Sequence, residues 1–166
     1  MLAADAAALE ARGLALRRDK QACLAALCRA ELAFAAADRT DVPPWQRYYM
    51  DESWIAGRFA YAFLDLGQPR EAEPFARRSL QRPDGHKLRK QINLALLASI
   101  LAEQRRVEEA CDASLAAVHM AHSVRSVRGT DAVADVARRL APFRSNADVQ
   151  ALYEHMIDTG IPVPPT

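Results

Sequence analysis

The sequence predicts an all-α fold of about eight helices, folded back on one another as antiparallel hairpins. Three observations carry that expectation. Alanine fills 34 of the 166 positions against 6 glycines, and it is the strongest helix former. Aromatic residues are only 7% of the chain and β-branched residues are sparse, so there is no strand signal. Capping and breaking residues cut the rest into helix-length pieces joined by a few residues, and such short loops force neighbouring helices to run antiparallel.

The elements follow in order. Residues 2–16 form a helix carrying Leu2, Leu9, Leu14 and Leu16 among alanines. Arg17-Arg18-Asp19 breaks the pattern, and Asp19 serves as N-cap to a helix over 20–37 with Leu24, Leu27, Leu32 and Phe34 on its apolar side. The polar stretch from Asp38 ends in Pro43-Pro44, which helix cannot cross. A long helix runs from Trp45 to Leu66 and stops at Gly67; Pro69 opens the next, over 69–81. Arg82-Pro83-Asp84-Gly85 is a turn by composition. Helices over 86–104 and 106–121 come next. After an ambiguous stretch, Gly129-Thr130-Asp131 caps a helix over 131–141 that Pro142 ends. Ser145 or Asn146 caps the last, over 147–158. The whole is read as one helical domain over 1–158 with a Pro-rich, frayed tail over 159–166.

Charge narrows the function classes. Lys and Arg number 22 against 21 Asp and Glu, and of the four segments 1–42, 43–83, 84–129 and 130–166 none exceeds a net +2. A phosphate backbone needs a clustered positive surface, so this chain is not expected to bind nucleic acid by itself. No stretch approaches the 18 or more apolar residues that read as a membrane span, and the N-terminus has no secretory signal pattern. Cys23, Cys28 and Cys111 contain no CxxC pair and read as small thiols buried in a reducing compartment, hence a cytoplasmic protein.

Two stretches repeat at an offset of 38 residues. Phe59 meets Leu97, Ala60 meets Ala98, Phe63 meets Leu101, Glu71 meets Glu109 and Ala72 meets Ala110. Small residues let two helices approach and large ones fill the space beside them. Asp19-Lys20-Gln21-Ala22 is a weaker third copy of the turn-plus-Ala feature. Phe59, Ala60, Phe63, Gly67, Glu71 and Ala72 resemble the tetratricopeptide repeat; the second copy matches it with Arg105 where a Gly is usual. That resemblance implies a right-handed superhelical stack of helix hairpins that binds proteins or peptides. A narrower resemblance rests on Trp45 to Gly57, Leu66-Gly67-Gln68-Pro69, Val107 to Cys111, Val124 to Arg128 and Leu140-Ala141-Pro142-Phe143. These runs look like the C-terminal repeat region of actinobacterial transcriptional regulators, which join a Cro/repressor-type helix-turn-helix domain to such an array. The 19 Arg against 3 Lys, a skew of GC-rich codons, agrees with that origin. The resemblance implies a regulatory or sensor module that reaches DNA only through a helix-turn-helix domain not present in this sequence. Family members often carry His where this chain has Arg58.

Candidate binding residues come from one helix face. Steps of three and four place Arg47, Asp51, Trp54, Arg58, Tyr61 and Asp65 on one side of the helix from Trp45, opposite Ile55, Phe59, Phe63 and Leu66. Arg89 and Asn93 extend the set from the next first helix. The resemblance implies that this stripe lines a partner-binding groove. The other reading is a solvated face of i,i+4 ion pairs, Arg47 with Asp51 among them. Trp45, Tyr48 and Tyr49 read as fastening the helix start against the first hairpin. Arg125, Ser126 and Arg128 read as a helix-end cap rather than an anion site. His119 and His122 lack further ligands at a matching step, so neither a metal nor another cofactor is expected. No nucleophile stands with a base and an orienting partner, so the chain is not read as an enzyme. A homodimer is the alternative role: a dimerisation scaffold with no ligand groove.

Overall fold

Helix is the only regular structure among the described residues. The computed structural model describes residues 1–38, 43–81 and 86–165, with backbone alone at 46–48 and 122. The turn expected at 82–85 lies outside the described residues. Where the sequence suggests one domain over 1–158, contacts divide the chain into two compact units, Met1–Arg82 and Pro83–Thr166.

The first unit contains α1 (Leu2–Leu16), α2 (Lys20–Ala35), α3 (Pro44–Tyr49), α4 (Glu52–Asp65) and α5 (Pro69–Ser79). A short turn folds α2 back on α1, another folds α5 back on α4, and α1 packs along α4. Its core joins Ala8, Ala11 and Ala15 of α1 to Cys23, Ala26, Leu27 and Ala30 of α2 and Ile55, Phe59 and Ala62 of α4. Phe75 closes the second hairpin, its ring 5.5 Å from both Phe59 and Phe63.

Several expectations are corrected in this unit. The single helix over 45–66 is two helices, broken at Met50-Asp51. Asp51 adopts an extended backbone and its carboxylate accepts from the Trp54 amide at 2.8 Å and the Ser53 hydroxyl at 2.8 Å. A side chain that caps a new helix start competes with continuation of the old one. In α1 the buried stripe is alanine, and of the leucines Leu14 packs against the core. Ala4, Ala8, Ala11 and Ala15 are buried, while Leu2, Leu9 and Leu16 are exposed. Leu32 of α2 is exposed as well. Trp45 and Tyr49 of α3 are about half exposed rather than packed away.

The second unit contains α6 (Lys87–Glu103), α7 (Val107–Val124), α8 (Val127–Leu140), a 3-10 turn (Ala141–Phe143) and α9 (Ala147–Asp158). α6 and α7 form the hairpin, α8 lies on α6, and α9 lies on α7. The Tyr153 hydroxyl of α9 donates to the Ala137 carbonyl of α8 at 2.7 Å. Arg139 of α8 bonds Asp135 at 3.0 Å and reaches Glu103 of α6.

Gly129 lies inside α8 and does not cap it. α6 and α8 come so close there that a Cβ on Gly129 would clash with Oε1 of Gln91. Gln91 is fully buried, and its Nε2 donates to the Ala117 carbonyl of α7 at 3.2 Å. One amide therefore sits where three helices meet. After α9 the prolines forbid helix, yet the chain is held where the sequence suggests fraying. The Ile161 amide donates to the Met156 carbonyl at 2.8 Å, its side chain is buried, and Arg144 donates to the Pro165 carbonyl at 2.9 Å.

Three hairpins share one turn. Arg18, Gly67 and Arg105 are all left-handed, with φ of 62°, 74° and 61°. Each amide bonds a carbonyl three residues back, and the next amide one five back, at 2.9–3.1 Å. This is the Schellman ending of a helix. In that register Cys23, Ala72 and Ala110 are equivalent, as are Ala11, Ala60 and Ala98, and all six are fully buried. The small residue of the first copy is therefore Cys23, one position beyond the Ala22 that sequence comparison picks out.

Two outcomes follow from this packing. A non-Gly residue in the left-handed region costs about 1 kcal/mol. Arg105→Gly should therefore raise stability by about 0.5–1 kcal/mol and Gly67→Ala should lower it by about 1 kcal/mol, read from urea unfolding; equal effects of the same sign would contradict a shared turn. Gly129→Ala should destabilise by about 1–2 kcal/mol, overpacking outweighing the helix-propensity gain. Adding Gln91→Ala should make the Gly129→Ala step neutral or favourable, a coupling that a double-mutant cycle reads.

Candidate functional site

The stripe on α4 faces α1. Arg58 donates to Asp5 at 3.0 Å, and Arg12 donates through Nε to Asp65 at 2.8 Å. The Arg12 guanidinium lies 4.5 Å from the centre of the Tyr61 ring, and that of Arg58 lies 5.5 Å from Trp54. Trp54 also leans towards Phe34 of α2, ring centres 6.4 Å apart. Two half-exposed clusters thus alternate along the α1–α4 seam, Trp54 with Arg58 and Asp5, then Tyr61 with Arg12 and Asp65. The charges are matched between helices 53 residues apart, a pairing that no i,i+4 rule describes. Nε of Arg58 is buried without an acceptor.

The other candidates stand elsewhere. Asp51 is the α4 N-cap, its carboxylate committed to backbone and Ser53. Arg47 belongs to α3, and its side chain lies outside the described residues. Arg89 and Asn93 stand on α6 in the second unit, where Asn93 is buried. Arg125 ends α7 in a left-handed conformation, and Ser126 precedes α8.

The first unit carries a cleft that sequence reasoning missed. α2 and α5 flank α4 and leave about 280 Å³ open above it. Phe34, Ile55, Phe59 and Phe75 supply an apolar floor, and Glu31, Glu52 and Arg78 stand at the mouth. Arg78 pairs with Glu52 at 3.3 Å, so the mouth keeps a net negative charge. The floor comes from residues on three helices, and no single-helix period reveals a gap between them.

Most of the α1 leucines lie at the surface. Leu2, Leu9 and Leu16 are 59%, 50% and 64% exposed. Burial of one leucine contributes about 1.5–3 kcal/mol, and α1 leaves three such contributions unclaimed within the chain. The signal was available: Ala4, Ala8, Ala11 and Ala15 form an equally regular stripe on the other side.

The second unit has a cleft of about 440 Å³ between α7 and α9, lined by Glu108, Asp112, Asp148, His155 and Cys111 with an apolar side at Leu115 and Leu152. The His155 ring meets that of His119 edge-on with centres 6.4 Å apart. The His122 side chain lies outside the described residues. Among the described residues no three His, Cys, Asp or Glu side chains gather as a metal ion would need. Burial, reinforced by Asp148 and Asp112, pushes the Cys111 thiol up to about 11. Burial likewise raises Cys23 and Tyr153. These shifts keep both cysteines protonated, opposite to the thiolate that a nucleophile or soft-metal ligand requires. No described helix is long and apolar enough to cross a membrane.

Set against known protein families, curated proteins and solved structures, the chain matches none.

Thiol accessibility gives a direct check. Cys28 is exposed, whereas Cys23 and Cys111 are buried with raised pKa. The thiolate is the reactive form. At pH 8 a disulfide reagent should therefore titrate one thiol rapidly in the native protein and three after unfolding. Rapid native labelling of Cys111 would contradict the packing of α7 against α9.

Proposed function

We propose that the chain is a non-catalytic protein- or peptide-binding module of the tetratricopeptide kind, acting in the cytoplasm as the regulatory part of a bacterial transcriptional regulator. The tetratricopeptide reading carries with it a right-handed superhelical course for the hairpins. DNA is reached indirectly, through a helix-turn-helix partner domain, since the chain's net charge of +1 gives no polyanion footprint. Regulation is a population shift: a ligand that prefers one arrangement of the packed hairpins biases what the partner domain does.

One observation carries the binding reading, the cleft over α4. Its floor of phenylalanines and Ile55 suits a single large apolar side chain, and anchors of that kind dominate interface energy. Glu31 and the Glu52–Arg78 pair at its mouth favour a cation beside the anchor. The half-exposed Trp54–Arg58 and Tyr61–Arg12 stacks on the other side of α4 add rigid contact area.

Selection of a displayed library of twelve-residue peptides against the 166-residue chain tests this. The enriched peptides should share one large apolar residue with Lys or Arg within a helical turn of it. Glu31→Lys, which removes the mouth's negative charge, and Ala35→Trp, which fills the cleft, should each weaken binding at least tenfold at unchanged helicity and melting temperature. Absence of enrichment, or binding indifferent to both substitutions, overturns the reading.

A further inference from the structure

The cleft of about 440 Å³ between α7 and α9 is polar at one end and apolar at the other. The two helices run side by side in the same direction, since Asp148 acts on Cys111 and His155 meets His119. Glu108, Asp112 and Asp148 therefore gather at the end where both helices begin, and Leu115 and Leu152 line the cleft further along. None of the three carboxylates has a cationic partner among the described residues, whereas Glu109, next along α7, is held by Arg106 at 2.6 Å. Glu108 and Asp148 stand in the first turns of α7 and α9, where the helix dipole stabilises a negative charge without neutralising it. Cys111 lines the cleft among these carboxylates. Its side chain is only 6% exposed, and its thiol has no hydrogen-bond partner among the described residues. Burial first, then Asp148 and Asp112, keep that thiol protonated, so it offers a weak polar contact and adds no charge.

We propose that this cleft binds a linear polyamine, with ammonium groups beside Glu108 and between Asp112 and Asp148 and its methylene chain along Leu115 and Leu152. The spread of the charges decides the class of ligand. The three carboxylates line one cleft, yet they do not gather on a point as a metal ion would need. Glu108 and Asp112 are one turn apart on α7, which sets their Cβ atoms about 5–6 Å apart. Three or four methylenes hold two ammonium groups apart by a similar step. From Glu108 to Leu115 the helix rises about 10 Å, so a triamine that starts at the carboxylates extends over the leucines. A monoamine leaves carboxylates unmatched, and a divalent metal ion leaves the leucines uncovered. At the Cys111 thiol, the sulfur accepts weakly from an ammonium N–H. The carboxylates are exposed, so binding is reversible and weakens with salt. The site lies wholly in the second unit, and it does not rest on the cleft over α4.

Calorimetric titration of the full 166-residue chain with spermidine, n-butylamine and magnesium chloride tests it. Spermidine should bind one per chain, about tenfold or more tighter than either of the others, because only it meets both the charges and the leucines. Raising NaCl from about 20 mM to about 300 mM should weaken it about tenfold. Asp112→Asn combined with Asp148→Asn should weaken binding about tenfold or more at unchanged helicity. Ala151→Trp, which fills the cleft from an exposed position and leaves every charge in place, should do the same. Glu31→Gln at the cleft over α4 and Glu154→Gln on α9 outside the cleft should leave it unchanged. Spermidine that binds no tighter than magnesium, or binding indifferent to Ala151→Trp, overturns the proposal. Equal losses in Glu31→Gln and Glu154→Gln overturn it as well, since they mark attraction to the surface at large. Saturation of the cleft by a lysine-rich peptide at lower concentration than by spermidine overturns it in favour of a protein partner.

Discussion

Close approach of helices through small side chains is the constraint on which each unit depends. Ala11, Ala60 and Ala98 on first helices and Cys23, Ala72 and Ala110 on second helices are fully buried, at equivalent distances from three turns of one geometry. A larger side chain at any of them would push two helices apart and open the core beside them, at a cost of about 1–3 kcal/mol per overpacked site. Gly129 takes the same principle to its limit: there even a methyl group is too much, because the Gln91 amide occupies the space. The chain's alanine content thus serves packing as much as helix propensity.

Close packing has consequences for charge. Helices that touch through alanine bring their flanking side chains within reach of each other, so α1 and α4 join through Asp5–Arg58 and Arg12–Asp65. These pairs are partly exposed and each contributes on the order of 1 kcal/mol or less. Their larger effect is on register, since two oppositely directed pairs along one seam match only one alignment of the helices. The aromatic rings beside the guanidinium groups add a cation–π contact to each pair. A surface that reads as a free charged stripe is thereby partnered.

Several elements were legible because they rest on local chemistry. The last helix over 147–158 starts where Asn146 caps it and the first over 2–16 stops at Arg17, as expected. Asp19 caps α2 as its position suggests, accepting from the Ala22 amide. Gly67 ends α4 in the left-handed region. Other features were not legible because their cause is remote. The Gln91 amide explains a glycine 38 residues away, and the cleft over α4 needs α2 and α5 in place before it exists. Asp51 was visible as a residue and misassigned as a role, since a carboxylate at a helix start and one on a helix face look alike in text.

By itself the sequence determined that the chain is helical, roughly where most of the helices begin and end, and which residues fall on one stripe, because propensity, caps and the 3.6-residue period are properties of short segments. Only tertiary structure decided which stripe is inside. In α1 the alanines and the leucines have equally regular spacing, and hydrophobicity favours burying the leucines; size decides otherwise, because the neighbouring helices approach too closely for anything larger than a methyl group. That choice depends on the shape of the partner surface, which segments far along the chain supply.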